Sequence, residues 1–127
     1  MPRPVLSLAL LTALGLVAMP ALTNAQEMRC HFDRQIDETG AITDTDYQLT
    51  YRYEEDSSEA FVVINDNTLP IIHHNGARAV SFVNALPSGL VLTTTVNLAD
   101  NKAVHARSDI QEGDMRAHLF LGSCVPS

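Results

Sequence analysis

Five histidines, two cysteines and 15 carboxylates are the residues of this 127-residue chain that could carry chemistry. A metal site needs three or four His, Cys or carboxylate groups converging at a fixed spacing. His73 and His74 are adjacent, and neighbours on a strand point to opposite faces, so they cannot share one ion. No H-x-H, H-E-x-x-H or Cys/His cluster occurs among His31, His73, His74, His105 and His118. The last hairpin offers the one arrangement worth naming. A Gly113-Asp114 turn sets His118 opposite Asp109, with His105 about three residue pairs away. His105, Asp109 and His118 are therefore the metal candidates.

A hydrolytic nucleophile would need an elbow such as G-x-S-x-G, and none occurs. Ser57, Ser58, Ser81, Ser88, Ser108 and Ser123 fall in turns or on strand faces. No P-loop, Rossmann glycine fingerprint or EF-hand is present. No catalytic site assembles by role, so the expectation is a non-catalytic protein without a cofactor. Glu54, Glu55, Asp56 and Glu59 read as a solvated acidic loop rather than a catalytic pair, and loops of this kind can bind a partner.

The two cysteines take their meaning from the first segment. Residues 1–25 hold one positive charge, Arg3, then an apolar run from Val5 to Met19, then Thr23-Asn24-Ala25. The pattern predicts a secretory signal peptide cleaved after Ala25 and a single domain over residues 26–127. Ser7, Thr12 and Gly15 interrupt the run and Pro20 ends it, short of the ~20 residues a spanning helix needs. No membrane span is expected after cleavage. The expected location is periplasmic or secreted, where an even cysteine count reads as a disulfide. A Cys30–Cys124 bond would close nearly the whole domain, for which the chain-entropy model gives ~4–5 kcal/mol.

The elements that must position these residues read as strands. Tyr47, Leu49, Tyr51 and Tyr53 share one face of an alternating segment, with Gln48, Thr50, Arg52 and Glu54 on the other. The tyrosine row reads as half-buried core, or as the lining of a barrel cavity. Phe61-Val62-Val63-Ile64 reads as a strand buried on both sides. Asn75-Gly76 signals a type I′ hairpin. Further strands run over 28–34, 68–74, 77–84, 90–98, 103–110 and 115–124, which makes about eight. Residues 35–45 read as a polar loop, with room for a brief strand at Ala41–Thr43.

Pairing Leu86 with Leu90 across Pro87-Ser88-Gly89 sets Phe82 opposite Thr94 and Val80 opposite Val96. That register collects the apolar side chains on one face. For the next hairpin, a two-residue Asp100-Asn101 turn sets His105 against Val96. A three-residue turn sets Ala106 there, and is preferred because it buries Val104 and leaves His105 in solvent. The fold class is therefore all-β, a small antiparallel barrel or sandwich with first and last strands joined by the disulfide.

Hydrophobic residues at 46% exclude a disordered or low-complexity chain. The whole chain carries −7, and without Arg3 seven basic residues face 15 acidic ones, near −8. That balance excludes a nucleic-acid module resting on a basic surface. It suits a basic protein of the cell envelope. Two functions follow: a non-catalytic binding module for such a protein, or a small-ligand or metal carrier using a barrel cavity or His105, Asp109 and His118.

The leader, the opening Met28-Arg29-Cys30-His31-Phe32 and the closing Leu121-Gly122-Ser123-Cys124 resemble the frame of small periplasmic proteins of Gram-negative bacteria. Among them the layout resembles the periplasmic inhibitors of C-type lysozyme. That resemblance implies a small β-barrel with disulfide-linked terminal strands. The family engages lysozyme with a Ser-Gly-x-x-Tyr loop and an aromatic-Lys-Gly segment. Here Ser88-Gly89 is followed by Leu90-Val91-Leu92, and the chain has no Lys-Gly and no Trp. The resemblance covers the frame and transfers no functional residue.

Overall fold

The structure is a computed structural model that describes residues 25–127. The leader expected over 1–25 lies, Ala25 apart, outside the described residues. Eight strands follow one another: β1 (Ala25–Asp37), β2 (Ile42–Glu54), β3 (Glu59–Ile64), β4 (Asn67–Asn75), β5 (Ala79–Ala85), β6 (Val91–Asn97), β7 (Lys102–Gln111) and β8 (Asp114–Pro126). Each pairs antiparallel with the next, and β8 returns to β1. The result is a closed barrel, which decides between the two expected architectures and leaves no free sheet edge among the described residues. No helix among them is long and apolar enough to cross a membrane.

Alternation places the core on the barrel axis. Leu49, Tyr51 and Tyr53 on β2, Val80 and Phe82 on β5, and Phe32 and Phe120 on the closing strands are buried together. The tyrosine row is thus core. Cys30 and Cys124 are directly opposed on β1 and β8 and are joined by a disulfide, so the bond seals the seam where the chain closes on itself.

The β5–β6 register is the one read from sequence, with Phe82 opposite Thr94 and Val80 opposite Val96. The Leu86 N–H donates to the Leu90 carbonyl at 2.8 Å across the turn. Other expectations need correction. Residues 35–45 are strand on either side of a tight turn rather than a loop: β1 runs on to Asp37, and the brief strand expected at Ala41–Thr43 is the start of β2 at Ile42. Asp37 Oδ1 shapes that turn by accepting from the Thr39 and Ala41 N–H groups and the Thr39 hydroxyl. β3 is not buried on both sides, because Phe61 is 49% exposed beside Arg52 and Pro70 while Val62 faces the core. The strand β4 runs through Asn75, and the turn falls two residues later, at Ala77-Arg78, with Gly76 N–H donating to the Ala79 carbonyl. The type I′ geometry sits at Asn65-Asp66, where both φ angles are positive, at 48° and 67°.

Two register corrections matter for the candidate site. The β6–β7 loop spans 98–101, so Val96 faces Ala103 and Thr94 faces His105. His105 is therefore inside and Val104 outside, the reverse of the preferred reading. On the last hairpin the turn is Glu112-Gly113, both at positive φ, which sets Arg107 opposite His118 and Asp109 opposite Arg116. His118 and Asp109 are not a cross-strand pair.

A β-bulge interrupts the pairing of β1 between Phe32 and Arg34, on both its β2 and β8 sides. Bulges bend a strand and sharpen its twist, which helps a small barrel close. Gly122 lies opposite Phe32 at this point. A Cβ there would run into the His31 carbonyl oxygen and stand 2.6 Å from Phe32 Cα, so only glycine fits.

Candidate functional site

Inside the barrel, one hydrogen-bonded line crosses the core. The Thr94 hydroxyl is bonded to the Tyr51 hydroxyl at 2.5 Å and to His105 Nδ1 at 2.7 Å. β2, β6 and β7 each supply one member, and the line gives partners to three polar groups that burial would otherwise penalise. The His105 ring lies within 6 Å of Phe32, Tyr47 and Phe120, centroid to centroid. Burial drives the His105 pKa down from 6.5 to about 4, and the nearby Arg107 guanidinium adds repulsion. Burial likewise pushes the Tyr51 hydroxyl well above its ordinary value, against the opposing pull of the Thr94 hydrogen bond. His105 is thus a neutral core residue at ordinary pH. The space left among Tyr51, Phe82, Asn84 and His105 is about 10 Å³. That is close to the volume one water needs, and far below the ~300 Å³ of a small-molecule pocket.

A second buried histidine works on the loop that the sequence singled out. The His73 N–H donates to the Ser58 carbonyl at 2.7 Å. His73 Nδ1 lies 3.0 Å from the Ser57 carbonyl. A carbonyl only accepts, so Nδ1 carries the ring proton and donates it. Tyr53 at 4.5 Å and Phe82 at 5.5 Å hold the ring in place. The 55–58 turn is therefore tied to the core by its backbone. Glu54, Glu55, Asp56 and Glu59 all remain exposed on it.

The metal candidates are distributed differently. His105 lies beneath Phe120, deep in the barrel, whereas Asp109 and His118 line a depression of about 260 Å³ at the mouth with Gln35, Arg107 and Gln111. Asp109 Oδ1 accepts from the Ile110 N–H and Oδ2 from Gln111 Nε2. Among the described residues, no group of three His, Cys or carboxylate side chains is placed to hold an ion. Register explains the separation: the turn lies one residue earlier than expected, and the pairing shifts by two.

The sequence reading missed the roles of Thr94, His105 and His73. A signal for the first existed. In Thr93-Thr94-Thr95 alternation forces at least one hydroxyl inward, and a buried hydroxyl needs a partner on a facing strand. His73 carried a similar signal, since of two adjacent histidines on a strand one must face the core.

No known protein family matches the chain, and neither curated proteins nor solved structures yield a match.

Proposed function

We propose that this is an exported, non-catalytic binding module, resident in the periplasm or secreted after loss of residues 1–25, that recognises a basic protein of the cell envelope. The observation that carries the reading is the acidic loop. Its backbone is fixed from below by His73, so its four carboxylates are presented on a rigid base and lose little freedom on binding. A concentrated negative patch speeds encounter with a basic partner and loses that advantage in salt. The filled barrel interior favours recognition on the outside. The resemblance in frame to lysozyme inhibitors adds a lysozyme as one basic partner to try.

The test replaces Glu54, Glu55 and Glu59 with Gln and Asp56 with Ser, then compares affinity capture from envelope extract at low and moderate salt. The wild type should retain a basic protein at low salt, release it as salt rises, and lose it altogether in the variant. Retention of the same partner with the same salt dependence would reject the loop as the recognition surface.

A second reading is a small-ligand or metal carrier. The depression at the mouth, with Gln35, Arg107, Asp109 and His118 around Phe120, is the observation that favours it. A ligand there would sit at the rim rather than in the barrel.

A further inference from the structure

A groove of about 730 Å³ crosses the outer wall of the barrel from β5 to β1. Its floor is made of outward-facing Ala79, Thr95, Val104, Leu121 and Ser123. The bulge at Asp33–Arg34 raises one rim, and the turn carrying Arg78 raises the other. Lys102 stands between them at the start of β7.

The charges are unevenly spread for so acidic a chain. Of the seven basic residues beyond Arg3, three line this one groove: Arg34, Arg78 and Lys102. Arg29, Arg52 and Arg116 are paired elsewhere with Glu27 or Glu38. Arg34, Arg78 and Lys102 meet no carboxylate within 4 Å among the described residues. Asp33 is the only acidic residue in the lining, and His31 at the edge is already bonded to Asp46 at 2.8 Å. With 15 carboxylates in the chain, three cations left together without partners form a local positive field inside a negative surface.

The groove's dimensions narrow the occupant. Strands lie ~4.8 Å apart, so β5 to β1 through β6, β7 and β8 spans roughly 19 Å along the curved wall, the contour length of about six extended residues bending with it. The barrel is closed, so an incoming chain cannot add itself as a strand and must be held by side chains. A long polyanion such as nucleic acid would be repelled by the acidic remainder of the surface. It would also make no use of Val104, 41% exposed, or of Leu121 beside it. An acidic segment with interspersed apolar residues uses both features.

We propose that this groove receives an extended acidic peptide segment of a partner protein, its carboxylates set against Arg34, Lys102 and Arg78 and an apolar side chain against Val104 and Leu121. The surface is distinct from the acidic loop, and the two can fail separately.

The test uses the exported, oxidised protein and a fluorescein-labelled hexapeptide alternating Glu and Leu, with a Lys-Leu hexapeptide as control. Anisotropy should show saturable binding of the acidic peptide alone. Replacing Arg34, Arg78 and Lys102 with Ser should weaken it at least tenfold, and so should Val104→Asp, with melting temperatures unchanged. Amide shifts on titration should centre on Thr95, Val104 and Ser123. Absence of binding to the wild type, or equal binding to the triple Ser variant, would overturn the proposal. Tighter binding of a heparin fragment that is indifferent to Val104→Asp would also overturn it, making the groove a polyanion site.

Discussion

On β7, His105 and Arg107 face the barrel axis while Lys102, Val104 and Ala106 face out, and the two sets meet different worlds. The inward His105 is neutral, hydrogen-bonded through Thr94 to Tyr51, and surrounded by rings. The outward Lys102 and Val104 border a groove and touch no comparable network. The same contrast holds at the other histidine. His73 is consumed by the backbone it supports, while the adjacent His74 is exposed. Inside this barrel each histidine is held through Nδ1, to Thr94 or to the Ser57 carbonyl, while Nε2 of both rings and the Asn84 amide nitrogen are buried without a partner. Polar groups outside are available for recognition.

Breaking the seam should give the largest effect. Reduction of Cys30–Cys124, or replacement of both residues by Ala, releases a loop of 94 residues. Chain entropy alone sets the loss at ~4–5 kcal/mol, a large share of the stability of a domain this small. Chemical denaturation with and without reductant measures it. Peptide mapping without reductant should recover the single linked pair.

Gly122→Ala comes next. The added methyl group meets the backbone of β1 at the bulge, which cannot move aside as a side-chain end could. The expected cost is about 3 kcal/mol, read as a lower urea midpoint. Ser123→Ala, one residue away and outward, should leave the midpoint in place.

Acid should act on the interior through His105. The unfolded chain takes up a proton on this ring near pH 6.5 and the folded chain only near 4. Unfolding therefore binds a proton throughout that window, so stability falls as pH drops from 6.5 to 4 and this contribution is complete above 6.5. The loss amounts to up to about 3 kcal/mol. His105→Gln should flatten the stability profile over the same window. An unchanged slope in that variant would remove His105 from the account.

The finest comparison uses two neighbours on β4. Ile71 is buried and Ile72 is 62% exposed. Ile71→Thr puts a hydroxyl into the core and should cost about 2 kcal/mol, whereas Ile72→Thr should stay within about 0.5 kcal/mol. Similar costs at both positions would contradict the assignment of inner and outer faces.

How far these faces could be read from sequence depended on what filled them. The β5–β6 register was legible because Val80, Phe82, Leu92 and Val96 are apolar and Pro87-Ser88-Gly89 marks the turn. The β6–β7 register was not, because its inward pair is Thr94 with His105. A pattern that ranks histidine below valine for burial turns that strand over. The last hairpin failed on backbone conformation: Glu112 adopts a positive φ that its residue type does not announce. The Asn75-Gly76 signal was equally misleading, since neither residue adopts positive φ. The acidic loop was visible as composition, but its anchor on His73 required a contact between elements 16 positions apart. The groove was invisible for the same reason. Arg34, Arg78 and Lys102 are far apart in sequence and meet only through barrel closure.

The barrel interior is filled by its own side chains, which leaves the outside for recognition. Native mass spectrometry of the protein purified from the exported fraction puts this to the test. The expected result is a chain beginning at Gln26, its one disulfide intact, with no small molecule or metal attached and with any bound species being a protein. A one-to-one small-molecule or metal adduct that persists on the wild type and disappears in His105→Gln, with the fold intact, would contradict it.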